Sequence, residues 1–335
     1  MLNSPVKPFK IGGLKLKNNL IAAPMAGITD YPFRVLARAG GAGLVCSEMI
    51  SSQALIFSDK KTLGMLPEIK DDSPISVQIF GSKPDVMAEA AIIAEKRGAD
   101  IVDINLGCPA PKIGKSGSGA KLLGNTERIS MILEAVVKSI KIPVTVKIRT
   151  GITKGENIAP EVARLAEKCG ISAVTVHGRP ACDRHSGEPD YPAIRETVES
   201  VKIPVIGNGG VTDETTAVEF FQKTGCSAVM IGRSCIGDPE IFERIEKYSG
   251  SGNLVPGMTW ESRIEVLKEH ARLSAARYGE KNGVIRLRKI APYYLKGLPN
   301  ASRIRQSFNK IVSLIELEEL TREIWKCPYF EGADE

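Results

Sequence analysis

The 335-residue sequence lacks the features that mark disulfide-stabilised, zinc-binding or membrane-spanning proteins. Its seven cysteines are odd in number and form no C-x-x-C pair, which excludes a regular disulfide framework and gives no zinc-ligand spacing. No stretch approaches the roughly 18 apolar residues of a membrane-spanning helix. Pro5, Pro8 and several lysines interrupt the N-terminus, where a signal peptide needs an apolar segment. We therefore expect a soluble, cytoplasmic protein without a bound metal or a membrane contact.

The composition is that of an ordinary globular protein. Aromatic residues are scarce, at 5%, but 43% of the residues are apolar and 25% are charged, which excludes a mostly disordered chain. The formal net charge of +6 favours an anionic partner. An excess of this size does not identify that partner.

Eight short apolar segments, each bounded by Gly, Pro or Asn, alternate with longer amphipathic segments. This alternation is typical of parallel strands joined by helices, and eight such units close a barrel better than an open sheet. A doubly wound sheet is the alternative, although the first turn lacks the glycine fingerprint of a dinucleotide-binding fold. The predicted strands are 19–25, 44–49, 75–80, 101–107, 144–149, 173–178, 205–210 and 228–233.

Three of the intervening helices end in a shared pattern, KRGADIVDI, KCGISAVTV and KTGCSAVMI, in which a glycine precedes the next strand. Glycine suits the position after a helix, where the backbone φ is usually positive. We expect Gly98, Gly170 and Gly225 to end their helices in this way.

The glycine-rich segment SGSGNLVPG, at 249–257, divides the chain into two parts. Beyond it, apolar residues recur at helical spacing from about Thr259 to Lys326 without a strand pattern, and Thr259 is suited to cap the first helix. The sequence therefore predicts an α/β protein with a (β/α)8 TIM barrel followed by a small all-helical domain. The predicted bounds are 1–250 for the barrel, 251–257 for the linker and 258–335 for the helical domain.

Two glycine-rich strand ends, IGNGG and MIGR, point to a phosphate-bearing ligand. Loops after strands 7 and 8 of such barrels frequently bind phosphate, and glycine lets the backbone approach it closely. Helices beginning at Asp213 and Asp238 would direct their N-termini to the same place, with Arg233 as an ion-pair partner. The alternative is that these glycines serve only tight turns.

Polar side chains at other strand ends are candidates for a ring-binding site. Lys147 in VTVKIR should point into the barrel mouth, where a cation would stabilise the negative charge of a reduced flavin. A Schiff-base lysine and a solvated lysine are the alternatives. Gln78 could bond an amide-like ring edge or be a satisfied core amide, and His177 alone is as consistent with a structural role.

Cys108 follows Asn105 in NLGCP and opens a loop rich in Gly, Ser and Lys, which we expect to move. A cysteine near its usual pKa of about 8.5 is mostly protonated at neutral pH and can act as a general acid. A metal-ligand role lacks partners, and a nucleophile would need a nearby base. The default for the other cysteines is a small buried hydrophobe.

Together these motifs resemble the tRNA-dihydrouridine synthase family, most closely its bacterial DusB-like branch. The segment APYYLKGLPNASRIRQSFNKI (291–311) is similar to that branch's helical domain, so the resemblance covers nearly the full chain. The barrel motifs are APMAGITDYPFR (23–34), SVQIFG (76–81), DINLGCP (103–109), VKIRTG (146–151), VHGR (176–179), IGNGG (206–210) and MIGR with IGDPEIF (230–242).

The resemblance implies an FMN reduced by NADPH, hydride transfer from flavin N5 to C6 of a uracil, and protonation at C5. Cys108 takes the proton-donor position, and Asn105 matches the residue expected to hold the uracil edge. Arg179 and Lys112 are further candidates for substrate contact. The flavin contacts carried over are Pro24, Met25, Ala26, Gln78, Lys147, His177, Asn208, Gly209, Gly210, Gly232 and Arg233.

One segment departs from the family pattern. After Arg179 the family usually continues with Thr and, three residues later, Gln, whereas this chain has Pro180, Ala181 and Asp183. We expect the flavin site to be kept and the substrate contacts of this loop to differ.

The segment from Lys281 to Lys310 contains eight Lys or Arg residues and no Asp or Glu, interleaved with Tyr293, Tyr294 and Phe308. This composition suits a nucleic-acid groove, and a base has to leave its stack to reach a barrel mouth. A solvated helical face with a few core aromatics is the alternative. The predicted RNA contacts are Arg286, Arg288 and Lys289.

The predicted partner is tRNA, with ribosomal RNA as a second possibility, and no obligatory protein partner is evident. A flavin barrel that reduces a free pyrimidine or enone would keep the flavin residues but have no use for the basic segment. An RNA-binding module without activity would be colourless when purified. The sequence leaves these two alternatives open.

Overall fold

Eight parallel strands form a closed ring at the centre of the protein, as described by a computed structural model of residues 4–67, 73–298 and 301–325. The ring strands are β3 (Leu20–Ala22), β4 (Leu44–Cys46), β6 (Ile75–Phe80), β7 (Ile101–Asn105), β8 (Val144–Arg149), β9 (Ala173–His177), β10 (Val205–Asn208) and β11 (Ala228–Ile231). Each is parallel to its neighbours, and the pairing of β11 with β3 closes the sheet on itself. The predicted barrel is confirmed, because an open sheet would leave two edge strands.

Side chains of the ring strands alternate between the surrounding helices and the barrel interior, as strand geometry requires. Val146 and Ile148 of β8 belong to the hydrophobic core shared with the helices. Lys147, between them, reaches Asn208 of β10 inside the barrel. The same alternation brings the polar strand-end residues together at one end of the ring.

Helices surround the ring and mostly follow its strands. They are α1 (Tyr31–Ala39), α2 (Ser52–Ile56), α3 (Lys60–Leu63), α4 (Pro84–Lys96), α5 (Pro111–Lys115), α6 (Thr126–Ser139), α7 (Ala159–Lys168), α8 (Tyr191–Ser200), α9 (Glu214–Thr224) and α10 (Ile241–Ser251). Gly98, Gly170 and Gly225 have φ of +94°, +87° and +68°, so the prediction that glycine ends three of these helices is confirmed.

One predicted helix start is wrong. Asp213 caps α9 by accepting a hydrogen bond from the Thr216 backbone N–H, as expected. Asp238 begins no helix, because α10 starts at Ile241, and both Asp238 oxygens instead accept hydrogen bonds from Arg244 at 2.9 and 2.7 Å. A bidentate pair of this kind consumes the carboxylate that would otherwise cap a helix.

A short antiparallel hairpin covers the N-terminal end of the ring. Its strands are β1 (Phe9–Ile11) and β2 (Leu14–Leu16), and a two-residue strand, β5 (Ile50–Ser51), pairs with β6. Ile11 and Leu16 pack against the first residues of several ring strands, among them Ile101 and Ala173. The opposite, C-terminal end of the ring is therefore the open mouth.

The remaining helices form a small domain that packs on the barrel. They are α11 (Trp260–Tyr278), α12 (Glu280–Leu287), α13 (Ala291–Tyr294), α14 (Ala301–Phe308) and α15 (Leu314–Trp325), and Thr259 caps the first as predicted. Residues 252–259 form neither helix nor strand, and 326–335 of the predicted domain lie outside the described residues. Within the part of the chain that the structure describes, no helix has the length and apolar character needed to cross a membrane.

Candidate active site

A cavity of about 580 Å³ opens at the C-terminal ends of the ring strands. This volume lies in the range of ligand and cofactor sites, about 300–1,000 Å³. Every predicted flavin contact lines it, as do the predicted proton donor and two predicted substrate residues. These lining residues are Pro24, Met25, Ala26, Gln78, Lys147, His177, Asn208, Gly209, Gly210, Gly232 and Arg233, together with Cys108, Asn105 and Arg179.

At the cavity floor, the side-chain oxygen of Asn208 is bonded to two titratable groups, Lys147 and His177. Lys147 Nζ donates to Asn208 Oδ1 at 2.9 Å, and His177 Nδ1 lies 2.7 Å from the same oxygen. The Asn208 amide nitrogen donates to the Met230 carbonyl, which fixes Oδ1 toward Lys147 and His177. Because that oxygen can only accept, His177 carries its hydrogen on Nδ1 and offers Nε2 as an acceptor.

His177 Nε2 is buried and has no hydrogen-bond partner among the described residues. Burial and the nearby Lys147 cation hold the pKa of His177 well below its usual range, so the ring is neutral. Burial, followed by the charge of Arg149, lowers the pKa of Lys147 to about 8. The floor thus presents one cation and one unused acceptor to the cavity.

A hydrogen-bond chain fixes the polar residues on the other side of the cavity. Asp103 accepts from Gln78 Nε2 at 2.6 Å and from Thr145 Oγ1 at 2.7 Å. Gln78 Oε1 in turn accepts from Asn105 Nδ2 at 2.8 Å. Both ends of the Gln78 amide are therefore bonded within the protein, although the residue lines the cavity.

Cys108 is held at the cavity wall through its backbone. Asn105 Oδ1 accepts hydrogen bonds from the backbone N–H groups of Cys108 and Gly107, at 2.9 and 3.2 Å. Arg149 Nε donates to the Gly107 carbonyl at 2.7 Å from the opposite side. The segment that follows is α5 and a 3₁₀ turn at Gly119–Gly124, so this region is structured in part rather than a simple loop.

The segment that departs from the family pattern lies across the cavity. Arg179 Nε donates to the Gly187 carbonyl at 2.9 Å, and Arg233 Nη2 donates to the His185 carbonyl at 3.4 Å. The His185 ring meets the His177 ring edge-on, with centroids 6.0 Å apart, and lines the cavity together with Glu188. Burial, with the cation of Arg149 next in effect, lowers the pKa of His185 to about 4.

A larger cavity of about 1,220 Å³ lies between the barrel and the helical domain, and we call it the interdomain groove. It meets the first cavity at Ala26, Ile28 and Met49, which line both. Three predicted substrate residues line the groove rather than the first cavity: Lys112, Arg286 and Lys289. The structure does not bring Arg288 there, because its Nη2 donates to the Ile311 carbonyl inside the helical domain.

Two of the groove residues also connect the domains. Arg286 forms an ion pair with Asp30 at 3.6 Å and stacks on Tyr278, 4.0 Å from the ring centroid. Lys289 Nζ donates to the Ala26 carbonyl at 2.8 Å. Ala26 belongs to the loop that lines the first cavity, so the helical domain touches that cavity's wall directly.

The aromatic residues of the basic segment do not line the groove. Tyr294 and Phe308 are each 2% exposed and belong to the hydrophobic core. Tyr293 lines the first cavity instead. The expectation that the three residues alternate with cations in a nucleic-acid groove is therefore wrong for Tyr294 and Phe308, because helix packing uses their apolar area.

Sequence reasoning assigned no role to Arg149 and His185, which line the cavity, or to Asp103, which supports Gln78 behind it. Asp103 and Arg149 were detectable, because each lies two positions from a predicted site residue, Asn105 or Lys147, and so shares its face of the strand. His185 gave no such signal, since it lies in an irregular segment. In the described part of the chain, no group of three or more His, Cys, Asp or Glu side chains could hold a metal ion.

Comparisons with known proteins agree with the motifs. A family model described as dihydrouridine synthase (Dus) matches residues 20–326. A probable tRNA-dihydrouridine synthase of Rickettsia bellii is 40% identical over 318 residues, covering 95% of this chain and 98% of that protein. The tRNA-dihydrouridine synthase B of Proteus vulgaris is 43% identical over 305 residues, covering 90% and 94%.

Solved structures share the fold at low sequence identity. An old yellow enzyme homologue from Zymomonas mobilis has a TM-score of 0.55 and 17% identity, covering 78% of this chain and 96% of that one. Histamine dehydrogenase from Rhizobium sp. 4-9 has a TM-score of 0.59 and 13% identity, covering 81% and 51%. These likenesses show the fold alone, whereas the family model and the curated relatives cover most of the sequence. The resemblance read from the motifs is confirmed, and the chain belongs to the dihydrouridine synthase family.

Proposed function

We propose that this protein reduces the C5–C6 double bond of a uridine in tRNA, with FMN in the first cavity and NADPH as the reductant. The observation that carries the proposal is the convergence of Cys108, Lys147 and His177 on one cavity at the mouth of a barrel of this family. The names of the relatives in Rickettsia bellii and Proteus vulgaris specify the same activity on tRNA.

Two features of the cavity support a bound flavin. His177 Nε2 is a buried acceptor without a partner among the described residues, and a ring N–H of the flavin would supply the missing donor. A Cβ on Gly232 would meet no protein atom nearer than the Ala23 methyl at 4.0 Å, so protein packing alone does not require glycine there. A ligand lying close to the backbone would require it.

Different residues would hold the ring and the phosphate of FMN. Lys147 would place a cation beside the electron-rich end of the ring, since its hydrogen bond to the protein goes to a neutral amide and leaves its charge unpaired. Gly209, Gly210 and Arg233, at the ends of β10 and β11, would hold the phosphate. Bound FMN, once reduced by NADPH, would supply the hydride to C6 of the uracil.

Cys108 would deliver the proton to C5. Its backbone N–H is bonded to Asn105, which holds the residue at the cavity wall. The second amide hydrogen of Asn105 points to the Met49 sulfur at 3.9 Å, a weak acceptor that an oxygen of the uracil edge could replace. Arg149, bonded to the neighbouring Gly107 carbonyl, would keep this wall in place.

The uridine would enter from the interdomain groove. The groove meets the first cavity at Ala26, Ile28 and Met49, so a base extruded from its stack in the groove could reach the flavin there. Lys112, Arg286 and Lys289 on the groove walls would face the phosphates of the flanking nucleotides. A reductase of free small molecules would not need this positively lined approach.

The test is dihydrouridine formation in tRNA isolated from cells that lack this protein. The purified protein with FMN and NADPH should add one dihydrouridine per susceptible tRNA, mapped by mass spectrometry of nuclease fragments. Free uridine and a simple enone serve as comparison substrates. Faster turnover of either than of tRNA would instead support the small-molecule reductase, and a protein that takes up no FMN would support the RNA-binding module.

A further inference from the structure

An aromatic side chain is exposed three residues before Lys60, which lines the interdomain groove. Phe57 is 75% exposed, the most exposed of the large apolar side chains among the described residues. It directly follows α2 and precedes Ser58, whose φ of +53° is uncommon for a residue with a side chain. A single exposed apolar side chain needs no explanation by itself, so the case for a contact here depends on its neighbours in the chain.

The turn after Phe57 leads directly into two lysines on the groove wall. Asp59 accepts hydrogen bonds from the Thr62 backbone N–H at 2.8 Å and the Thr62 hydroxyl at 2.6 Å, which starts α3. Lys60 and Lys61, the first residues of α3, line the groove. Phe57 and the two lysines are therefore presented by one short, hydrogen-bonded segment of the barrel.

The groove has the charge of a site for a polyanion. Two carboxylates line it, Asp30 and Glu48, against seven basic residues. These basic residues are Arg34, Lys60, Lys61, Lys112, Arg277, Arg286 and Lys289. The phosphates of an RNA backbone match such a lining. The groove also meets the first cavity, which a base of an RNA would have to reach and an acidic protein would not.

The cations on the two walls differ in how they are engaged. On the helical domain, Arg286 is paired with Asp30 and Lys289 is bonded to the Ala26 carbonyl. On the barrel, Lys60 and Lys61 are exposed and form no ion pair with any described residue. A phosphate can therefore bind the barrel lysines without breaking a contact between the domains.

We propose that Phe57, Lys60 and Lys61 form a barrel-side RNA clamp. Phe57 stacks on an unpaired base near the target uridine, and the two lysines bind the adjoining phosphates. Stacking on a single aromatic ring tolerates any base, so the clamp adds affinity and register without reading sequence. This inference rests on the proposed function, because it assumes that the substrate is RNA entering through the groove.

The test compares Phe57→Ala with Lys60→Ala/Lys61→Ala by measuring the Kd for tRNA at several salt concentrations. We expect Phe57→Ala to weaken binding about 5- to 50-fold with an unchanged salt dependence. The lysine variant should reduce the slope of log K against log salt by about 1.4 to 1.8, the release expected from two phosphate contacts. Phe57→Trp should restore the affinity, and Phe57→Leu should not.

The control is Lys10→Ala/Lys15→Ala, which removes two exposed lysines from the hairpin at the closed end of the barrel. An equal loss of salt slope in this control, or full affinity in Phe57→Leu, would overturn the clamp. FMN content and the rate of flavin reduction by NADPH should be the same in all of these variants. If the wild-type protein forms no dihydrouridine in tRNA, the proposed function fails; if it does and the clamp variants bind normally, only the clamp fails.

Discussion

The side chain of Lys147 is half-buried at the floor of the first cavity, where its hydrogen-bond partner is the neutral amide of Asn208. Burial lowers its pKa from 10.5 to about 8. At pH 7 the folded protein therefore holds a charged ammonium in a poorly solvated cavity without a carboxylate bonded to it. Residues held at the expense of stability are expected where function needs them.

Replacing Lys147 with Met should stabilise the flavin-free protein and weaken its binding of FMN. The cost of burying the charge is present in full below pH 8 and disappears as the pH rises toward 10.5, because the unfolded chain then also loses its proton. We expect a gain of about 1–3 kcal/mol at pH 7 that shrinks above pH 8. Urea unfolding at pH 7, 8.5 and 10 measures the gain, and fluorescence titration measures FMN affinity.

Lys138→Met is the matched control, since Lys138 is exposed on α6 and forms a surface ion pair with Glu134. It should change the free energy of unfolding by less than about 0.5 kcal/mol at every pH. A gain at Lys147→Met that does not depend on pH would show that packing, not the buried charge, is responsible.

The Cys108 thiol has a single role in the proposed reaction, so its removal should separate two steps. Cys108→Ala should bind FMN and accept electrons from NADPH at close to the wild-type rate, because Asn105 contacts only the backbone at this position. Formation of dihydrouridine should fall at least about 100-fold, as expected when a general acid is lost. Rapid-mixing absorbance follows the flavin, and mass mapping follows the product; undiminished product would remove Cys108 from the mechanism.

Sequence reasoning located these residues because strand periodicity determines which side chains enter a barrel. Lys147 and Asn208 lie where alternation along β8 and β10 requires. The same periodicity did not reveal that Gln78 is bonded at both ends, or that Asn208 serves two neighbours at once. Hydrogen bonds between side chains on different strands depend on stagger around the ring, which sequence spacing does not contain.

Two glutamates at the closed end of the barrel each connect a helix to the start of a strand. Glu95, on α4, accepts backbone N–H bonds from Lys141 at 2.7 Å and Ile142 at 3.2 Å. Glu167, on α7, does the same for Lys202 and Ile203, at 2.7 and 3.0 Å. In both places a glutamate carboxylate accepts the backbone N–H groups of Lys and Ile in the sequence K-I-P, which directly precedes a strand.

Removing either carboxylate should leave two backbone donors without their partner. We expect Glu95→Ala and Glu167→Ala each to lower the free energy of unfolding by about 1–2 kcal/mol, and the double variant to lose the sum, since the sites share no contact. Urea unfolding measures the loss. Glu219→Ala, which breaks only the exposed pair with Lys223, should cost less than about 0.5 kcal/mol and serves as the control.

For the helices and strands, the sequence predicted which segments form them but not every boundary or connection. The eight ring strands were evident because apolar segments bounded by turn residues have little alternative in a barrel. Asp238 was taken for a helix cap because its type fits that position, but Arg244 six residues later competes for it. Contacts formed across a turn of this kind outweigh local preference.

The barrel and the helical domain share one hydrophobic core, and α11 packs on α1. The sequence showed a basic helical segment after a linker, and this suggested a separate module that carries the RNA contacts. The structure places part of that segment against the active cavity: Tyr293 lines it and Lys289 bonds to its wall. Domain docking of this kind follows from shape and could not be read from composition.

Met25 and Ala26 lie in a loop that lines the first cavity. Lys289 Nζ donates to the Ala26 carbonyl, and the Glu48 carboxylate accepts the N–H of the next residue, Gly27. The loop is therefore held from the helical domain and from the barrel at adjacent peptide groups. Ala26 and Met25 are among the predicted flavin contacts, so loosening the loop should affect the cofactor as well as RNA.

Lys289→Met should weaken FMN binding in the absence of any RNA. The substitution keeps most of the apolar stem but removes the ammonium, so the Ala26 carbonyl loses its partner and the loop gains freedom; we expect a loss of about 3- to 10-fold in FMN affinity. Hydrogen exchange at 25–30 should rise in the flavin-free protein. Lys296→Met, on the same domain but outside both cavities, is the control. If Lys289→Met lowers only the affinity for tRNA, Lys289 contacts RNA and does not position the flavin loop.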